Sequence, residues 1–438
     1  MPAPDIRPNR LDKAEIDSNF ADLHPPLPRS EALIEADRCY FCYDAPCTTA
    51  CPTGIDIPAF IQKIRSDNLR GSARTILTEN IMGGMCARVC PTEVLCEEAC
   101  VRNTHEDKPV EIGRLQRYAT DPVFDENIKF FARTESTGKR VAVVGGGPAG
   151  LSCAHRLAML GHDVRIYNRD PLPGGLNEYG IAAYKTVDNF AQREVEYILS
   201  IGGIEVEGGV ELGRDFSMPA LREAYDAVFL GIGLSLVNEL GLDNEDLPGV
   251  ENATDYIWDL RQSIDKSALP VGRNVVVIGG GMTAIDIAVQ SKRLGAERVD
   301  IAYRRGPDDM SASEFEQRLA QTSGVSVHHW LQPKSLQGNG HVSAIEFDKN
   351  GESVLLEADI VFKAIGQRFA NEQLETELQG IDLEYGKIVV DDSQATTLPG
   401  VWAGGDCVAG GEDLTVSAVQ HGKVAAIAID SYLGGDNG

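Results

Sequence analysis

No stretch of this 438-residue chain is apolar for long: runs such as Val141–Val144 fall far short of the ~20 residues that a membrane-spanning helix needs. The opening residues, MPAPDIRPNR, lack the apolar core of a secretory signal. Positive charge is scarce too. Lys+Arg 40 against Asp+Glu 66 leaves a net charge of −26, which nucleic acid and anionic lipid would repel and which a well-solvated acidic surface explains. Cysteine is nearly missing outside one window. Eight of the ten (Cys39, Cys42, Cys47, Cys51, Cys86, Cys90, Cys96 and Cys100) crowd into residues 39–100, leaving only Cys153 and Cys407 elsewhere. A disulfide framework would need an oxidising compartment, for which the sequence carries no signal. These absences set aside membrane, secreted and nucleic-acid-binding classes and give a cytoplasmic expectation.

What remains is an ordinary soluble composition, 43% hydrophobic and 24% charged, long enough for about three domains. Residues 1–30 carry prolines at 2, 4, 8, 25, 26 and 28 and read as an extended arm. Ser30 is placed to cap a helix, EALIEADRCYFC, that delivers the first cysteines. Apolar residues recur at helical spacing in IPAFIQKIRSDNL, GSARTILTEN and PVEIGRLQRYATD. Residues 121–138 read as a linker with apolar anchors. From Arg140 the pattern becomes strand, glycine turn, helix, strand, and it repeats from Asn274. Short β segments follow at 226–233, 358–366 and 399–406, and a last amphipathic helix spans about Leu414 to Leu433.

Gly145-x-Gly147-x-x-Gly150 and Gly279-x-Gly281-x-x-Ala284 each follow a strand and open a helix. Glycine there permits a tight turn and close backbone approach to a pyrophosphate, which the helix N-terminus then binds. The expected contacts are Gly145, Gly147, Pro148, Ala149 and Gly150 in the first loop, and Gly280, Gly281, Thr283 and Ala284 in the second. The end of the following strand separates the two sites. The second unit ends in Tyr303-Arg304-Arg305 without an acid, which favours NADPH, with NADH possible; the first ends at Asn168, able to bond a ribose hydroxyl.

GGGPAG, GGLNEYGI (174–181) and VWAGGD (401–406) resemble the flavoprotein reductases with two dinucleotide-binding domains. The resemblance implies FAD on the first loop, with Gly175, Leu176 and Lys185 near it and Asp406 on the ribityl chain. It also implies a helix starting near Thr415 and Val416 that points at the flavin ring, where its dipole would stabilise negative charge. Ala364 and Gly366 complete the second site. Lys185 stands where such proteins often have Arg. Many of them pass electrons to a Cys-x-x-Cys pair beside the flavin, and residues 140–438 hold none.

The electrons are expected to leave through the N-terminal cysteines. Cys39-x2-Cys42-x4-Cys47-x3-Cys51-Pro52 approximates a ferredoxin run, whose fourth cysteine serves a different cluster. Structural zinc favours paired C-x2-C knuckles, and only Cys39 and Cys42 fit that. RCYFCYDAPCTTACPTGIDI, GGMCARVCPTEVLCEEAC and IGRLQRYA resemble the N-terminal domain of dihydropyrimidine dehydrogenase, and DAVFLGIGLS resembles its reductase half. That family implies one [4Fe-4S] cluster on Cys39, Cys42, Cys47 and Cys100. A second falls on Cys51, Cys90, Cys96 and Gln116, with Val89 a cofactor contact and Cys86 a non-ligand. The glutamate synthase small subunit shares the plan but has a tighter second cysteine group.

The expected fold class is therefore α/β: two Rossmann-like domains, for FAD and NADPH, preceded by an α-helical domain holding two [4Fe-4S] clusters. Expected boundaries are 1–137 for the cluster domain and linker, 138–235 with 368–438 for FAD, and 236–367 for NAD(P)H. The family's FMN-binding (β/α)8 barrel needs ~250 residues, and no segment is free to form one. The resemblance thus implies an electron-input subunit with an FMN-containing catalytic partner, assembled as a heterotetramer, that reduces uracil or thymine. Alternatives are a glutamate synthase small subunit, a stand-alone NAD(P)H:acceptor oxidoreductase, and a redox sensor or cluster carrier. No side-chain acid or base is expected in this half.

Overall fold

The computed structural model describes residues 5–370, 372 and 374–434; the first four residues of the expected arm lie outside them. The chain forms two units, each discontinuous in sequence.

One unit comprises His24–Glu178, Asp188–Ser235 and the described residues from Phe369 onward. Its centre is a five-stranded parallel sheet in the order Val401–Ala403, Ala227–Leu230, Arg140–Val144, Asp163–Asn168, Ile204–Gly208. Val141, Val143, Ile166 and Phe229 on its strands, with Leu151 and Ile429 on flanking helices, are buried together. Two of those helices, Pro148–Met159 and Thr415–Tyr432, meet at van der Waals distance. A Cβ on Gly422 would lie 2.1 Å from the Ala149 carbonyl oxygen, so only glycine allows that approach.

The same unit holds the cysteine-bearing helices. Ile57, Phe60, Ile61 and Ile64 form the apolar stripe of Ile57–Arg65 and pack on Ile76, Leu115 and Ala119. Asp56 caps this helix at the Ala59 N–H (3.0 Å), and Asn68 caps Leu69–Glu79 at Gly71 (2.9 Å). The first helix differs from expectation. Pro28, at φ −64°, already supplies the extended entry, so the helix runs Arg29–Asp37 with Ser30 inside its first turn, and Cys39 and Cys42 follow on a loop. The helix Ile112–Asp125 takes up the start of the expected linker; Ile128, Phe130 and Phe131 then anchor onto the sheet core.

The other unit comprises the described residues up to Leu23, Tyr179–Val187 and Leu236–Arg368. Its parallel sheet runs Ser326–His328, Arg298–Ala302, Asn274–Ile278, Ile360–Lys363, Val250–Asn252, beside a three-stranded antiparallel sheet formed from Gln332–Gly338, Val342–Lys349 and Glu352–Glu357. The N-terminal arm is not simply extended. Residues Lys13–Asn19 are helical under an Asp12 cap, because Ile16 and Phe20 can bury against Tyr184 and Leu260 in this unit's core. No helix among the described residues is long and apolar enough to cross a membrane.

Candidate functional site

In both sheets the glycine loop lies where strand order reverses, the position at which open α/β sheets bind ligands. Gly145 has φ +102°, and a Cβ on it would sit 2.2 Å from the Gly231 carbonyl oxygen of the neighbouring strand. Gly279 repeats this at φ +146°, 2.1 Å from the Ala364 carbonyl. Each loop thus reaches across its switch point only because no side chain intervenes.

Side-chain caps close some helix N-termini and leave others open, among them the two that follow the glycine loops. Asp12, Asp56, Asn68, Ser217 and Ser313 cap their own helices by side-chain hydrogen bonds. The helices that start at Pro148, Met282 and Thr415 have no side-chain cap; their N-cap residues are Gly147, Gly281 and Leu414. Their first-turn N–H groups and positive dipole ends are left for an anion.

Around the first loop, Gly174 N–H donates to the Gly146 carbonyl (2.7 Å), bringing Gly175 (φ +54°) against Gly147. A Cβ on Gly175 would lie 2.8 Å from the Gly147 Cα, so the two glycines form one narrow backbone cradle, with half-exposed Leu176 at its edge. Pro148 opens the helix, Ala149 and Gly150 are buried, and a Cβ on Gly150 would strike the Gly145 carbonyl. Asp406 lies beside Gly233; burial and the like charge of Asp413 push its carboxyl up to about 6. A buried carboxylate of this kind suits a ligand that brings hydroxyl donors. Thr415 Oγ1 donates to Asn177 Oδ1 (2.7 Å), and Val416 is buried at the same helix start. This geometry fits an FAD pyrophosphate and ribityl chain.

Two expected contacts have other commitments. Asn168 accepts from Gly146 N–H at 2.9 Å and donates to the Asp170 and Leu172 carbonyls at 2.8 and 2.9 Å. It is buried and acts as a brace for the glycine loop. Lys185 belongs to the other unit, where its ammonium bridges Asp286 Oδ1 and Glu316 Oε1 at 2.7 Å each. These carboxylates hold its pKa above the ordinary lysine value against the cost of burial.

At the second loop, Gly280 lies under the Tyr303 ring and Gly281 beside Ser311 Oγ, while Thr283 and the buried Ala284 continue into the helix. Arg304 and Arg305 are exposed, and neither forms an ion pair among the described residues. Ala364 faces Gly279 across the switch point, and Gly366 (φ +90°) accepts from the Asn238 amide. An anion with an additional phosphate fits here.

All ten cysteines are free thiols. Cys39, Cys42, Cys47 and Cys100 line a single cavity whose other walls are mostly apolar, including Ile57, Ile61 and Ile112, with Tyr40 and Arg102 also lining it. Burial, with Cys39 and Cys100 nearby, pushes the Cys47 thiol up to about 12. Cys51, Cys90 and Cys96 form a second group: the hydrogen bond with Cys86, one helical turn earlier, and burial raise the Cys90 thiol well above its ordinary value, and burial, with Glu97 nearby, raises that of Cys96. Gln116 is buried and donates through Nε2 to the Gly83 carbonyl (2.7 Å), which orients its amide and leaves Oε1 as an acceptor. Among the described residues, no three His, Cys, Asp or Glu side chains converge as ligands for one metal ion. Thiols this reluctant to ionise alone become thiolates when cations bind, so the donor sets suit iron–sulfur clusters.

Sequence reasoning missed the residues that tie the cysteine helices to the sheet. Glu194, on Phe190–Leu199, accepts from the N–H groups of Gly84 (2.9 Å) and Met85 (3.1 Å) and so caps the helix Gly83–Val89 that delivers Cys90. Arg88 of that helix lies over the Phe190 ring, 3.4 Å from its centroid, while Val89 packs on Met85 and Phe190. Lys423, on the last helix, donates to the carbonyl of Thr53, two residues from Cys51 (3.0 Å), and to Glu79. Glu194 had a signal: it falls on the apolar stripe formed by Phe190, Ala191, Tyr197 and Ile198. Lys423 had none.

Residues 139–422 match the family described as Pyridine nucleotide-disulphide oxidoreductase, and residues 16–128 match Dihydropyrimidine dehydrogenase domain II, 4Fe-4S cluster. The NAD-dependent dihydropyrimidine dehydrogenase subunit PreT of Salmonella typhimurium is 36% identical over 95% of this chain and 98% of its own. The glutamate synthase [NADPH] small chain of Escherichia coli is 33% identical over 98% and 96%. Among solved structures, the thioredoxin reductase of T. acidophilum superposes with a TM-score of 0.55 at 24% identity, over 67% of this chain and 99% of that one; this likeness concerns the fold. The chain belongs to the pyridine nucleotide-disulphide oxidoreductase family, as an NAD(P)H-dependent oxidoreductase carrying an N-terminal 4Fe-4S domain of the dihydropyrimidine dehydrogenase kind.

Proposed function

We infer that this chain is the electron-input subunit of a dihydropyrimidine dehydrogenase. In this reading it carries electrons from NADPH, with NADH possible, by way of FAD and two [4Fe-4S] clusters to an FMN-containing partner that reduces uracil or thymine to the 5,6-dihydro form. The assembly would be a cytoplasmic heterotetramer. The domains in this reading are 1–137 for the clusters, 138–235 with 368–438 for FAD, and 236–367 for NAD(P)H, with the described residues up to Leu23 and Tyr179–Val187 packed in the unit of the last. The observation that carries it is one unit holding both a flavin-type glycine cradle and a cavity ringed by Cys39, Cys42, Cys47 and Cys100.

Flavin, when bound, supplies the change from hydride acceptance to single-electron release. The chain's own residues position and tune. Gly145, Gly147, Gly150 and Gly175 let the backbone close on a pyrophosphate, and the uncapped Pro148 helix binds it. Asp406 accepts from ribityl hydroxyls. The uncapped Thr415 terminus would offer a positive dipole end to negative charge on a bound flavin. Cys39, Cys42, Cys47 and Cys100 hold one cluster, and Cys51, Cys90, Cys96 and Gln116 the other, with Glu194 and Lys423 fixing the second group to the flavin helices. No side chain need move a proton in this scheme.

The chain is also similar, across its length, to a glutamate synthase small chain, which keeps glutamate chemistry as the second reading. Affinity purification of the full chain from its native host separates the two. An FMN-containing partner that confers uracil reduction supports the first; a glutamate synthase large chain supports the second. As prepared anaerobically, the chain should contain about eight iron and eight acid-labile sulfide; stoichiometric zinc without sulfide contradicts both.

A further inference from the structure

The chain has three tryptophans, and one of them is set unusually. Trp330 has φ +59°, a left-handed conformation that bulky side chains avoid, and half of its surface (51%) is exposed. The strain is held by pairing with the arginine turn: Trp330 N–H donates to the Arg305 carbonyl (3.1 Å), and Leu331 N–H to that of Tyr303 (2.9 Å). The indole lies along Gly306, where a Cβ would come within 3.3 Å of Cζ2. Any side chain at that position would push the ring away.

This turn also folds onto the second glycine loop. The Tyr303 ring covers Gly280, the Tyr303 hydroxyl donates to the Asp309 carbonyl (2.6 Å), and Ala312 N–H donates to the Gly280 carbonyl (3.1 Å). Ser311 Oγ stands beside Gly281. An uncapped helix N-terminus, a hydroxyl, two guanidinium groups without an ion pair among the described residues and a strained, exposed indole are therefore contiguous within one unit. A pyridine dinucleotide presents the matching series: pyrophosphate, ribose with its 2′ substituent, then a flat purine.

Resting on the assignment of the second loop to NAD(P)H, we propose that Trp330 is the stacking platform for the adenine ring of that nucleotide, adjacent to the arginines that read its 2′-phosphate. The left-handed backbone turns the indole out toward the base. Aromatic stacking adds affinity for any adenine nucleotide and is indifferent to the 2′ position, whereas Arg304 and Arg305 discriminate there.

The test uses the full-length protein with its cofactors and 2′,5′-ADP, which carries the adenine and 2′-phosphate without the nicotinamide. Saturating 2′,5′-ADP should change the tryptophan fluorescence. In Trp330→Leu that change should vanish, and calorimetric affinity should fall about tenfold. Trp330→Phe should keep affinity close to that of the unaltered chain without the fluorescence change. Trp258→Phe, which removes the other partly exposed tryptophan, should keep both. Unchanged affinity in Trp330→Leu, or a persisting signal there, overturns the assignment of Trp330 while leaving the nucleotide site standing. Failure of the unaltered chain to bind either 2′,5′-ADP or ADP-ribose overturns the site and Trp330 together.

Discussion

At the scale of the residue, exposed and buried charge give separate predictions. Arg304 is exposed and forms no ion pair among the described residues, so its guanidinium is available for bidentate bonds to phosphate. Arg304→Ala should raise the KM for NADPH about 10- to 100-fold, the range expected for lost charge-assisted hydrogen bonds, and leave that for NADH nearly unchanged. Equal changes in steady-state KM for the two nucleotides would refute the phosphate role. Glu194 gives a different prediction. Burial raises its carboxyl to about 8, against the help of the Gly84 and Met85 N–H groups and Arg88, with Asp121 pushing the same way as burial. A carboxyl raised above its unfolded value of about 4.3 stabilises the fold fully below that pH and loses the effect as pH climbs through the folded value. Glu194→Gln keeps the capping oxygen and removes the titration. Thermal melts across a pH series should show the variant equal to the parent near pH 5 and a few degrees more stable near pH 9, where about 1 kcal/mol moves Tm by a few degrees. Parallel curves would show that Glu194 does not titrate in this range.

At the scale of the element, the contact between the first glycine helix and the last helix carries both fold and function. It places the Thr415 terminus relative to the Gly147 terminus. Ser152 Oγ also donates across it to the Val419 carbonyl (2.7 Å). Gly422→Ala would set a Cβ 2.1 Å from Ala149 O and 2.9 Å from Cys153 N, both backbone atoms. Forcing such a contact apart costs about 1–3 kcal/mol, so the variant should melt several degrees lower and carry less FAD per chain by absorbance. Full flavin content with unchanged Tm would place that contact elsewhere. The βαβ units were legible in the sequence because parallel strands buried on both faces read as unbroken apolar runs, as in Val141–Val144 and Val275–Ile278, and glycine punctuates their turns. The helices of the cysteine domain were legible by period. Less legible was what long-range packing decides. The arm became partly helical because Ile16 and Phe20 found a core distant in sequence. Asn168 turned inward because Gly146 N–H needed an acceptor, and Lys185 was claimed by Asp286 and Glu316 from other helices. Gly146, Asp286, Glu316 and the core that takes up Ile16 and Phe20 are distant in sequence from the residues they engage, so spacing could not announce them. Cys39, Cys42, Cys47 and Cys100 line one cavity, a grouping that only family resemblance implied, since spacing alone leaves the assignment of Cys100 open.

At the scale of the whole molecule, the proposed function divides labour between this chain and a partner. The glycine cradles and the cysteine groups are all present here, so NAD(P)H oxidation with an artificial acceptor such as ferricyanide should need nothing else. Cys100→Ser removes one wall of the Cys39–Cys47 cavity and should lower iron by about four per chain while sparing much of the ferricyanide activity, provided that FAD content is unchanged. Retention of all the iron would remove Cys100 from the ligand set. The most direct measurement of the central claim is anaerobic uracil-dependent NADPH oxidation by the purified, cluster-loaded chain, with and without the FMN-containing partner. The account predicts none from the chain alone, and restored turnover when the partner is added, lost again in Cys100→Ser. Uracil reduction by the single chain, free of any second polypeptide, would contradict it.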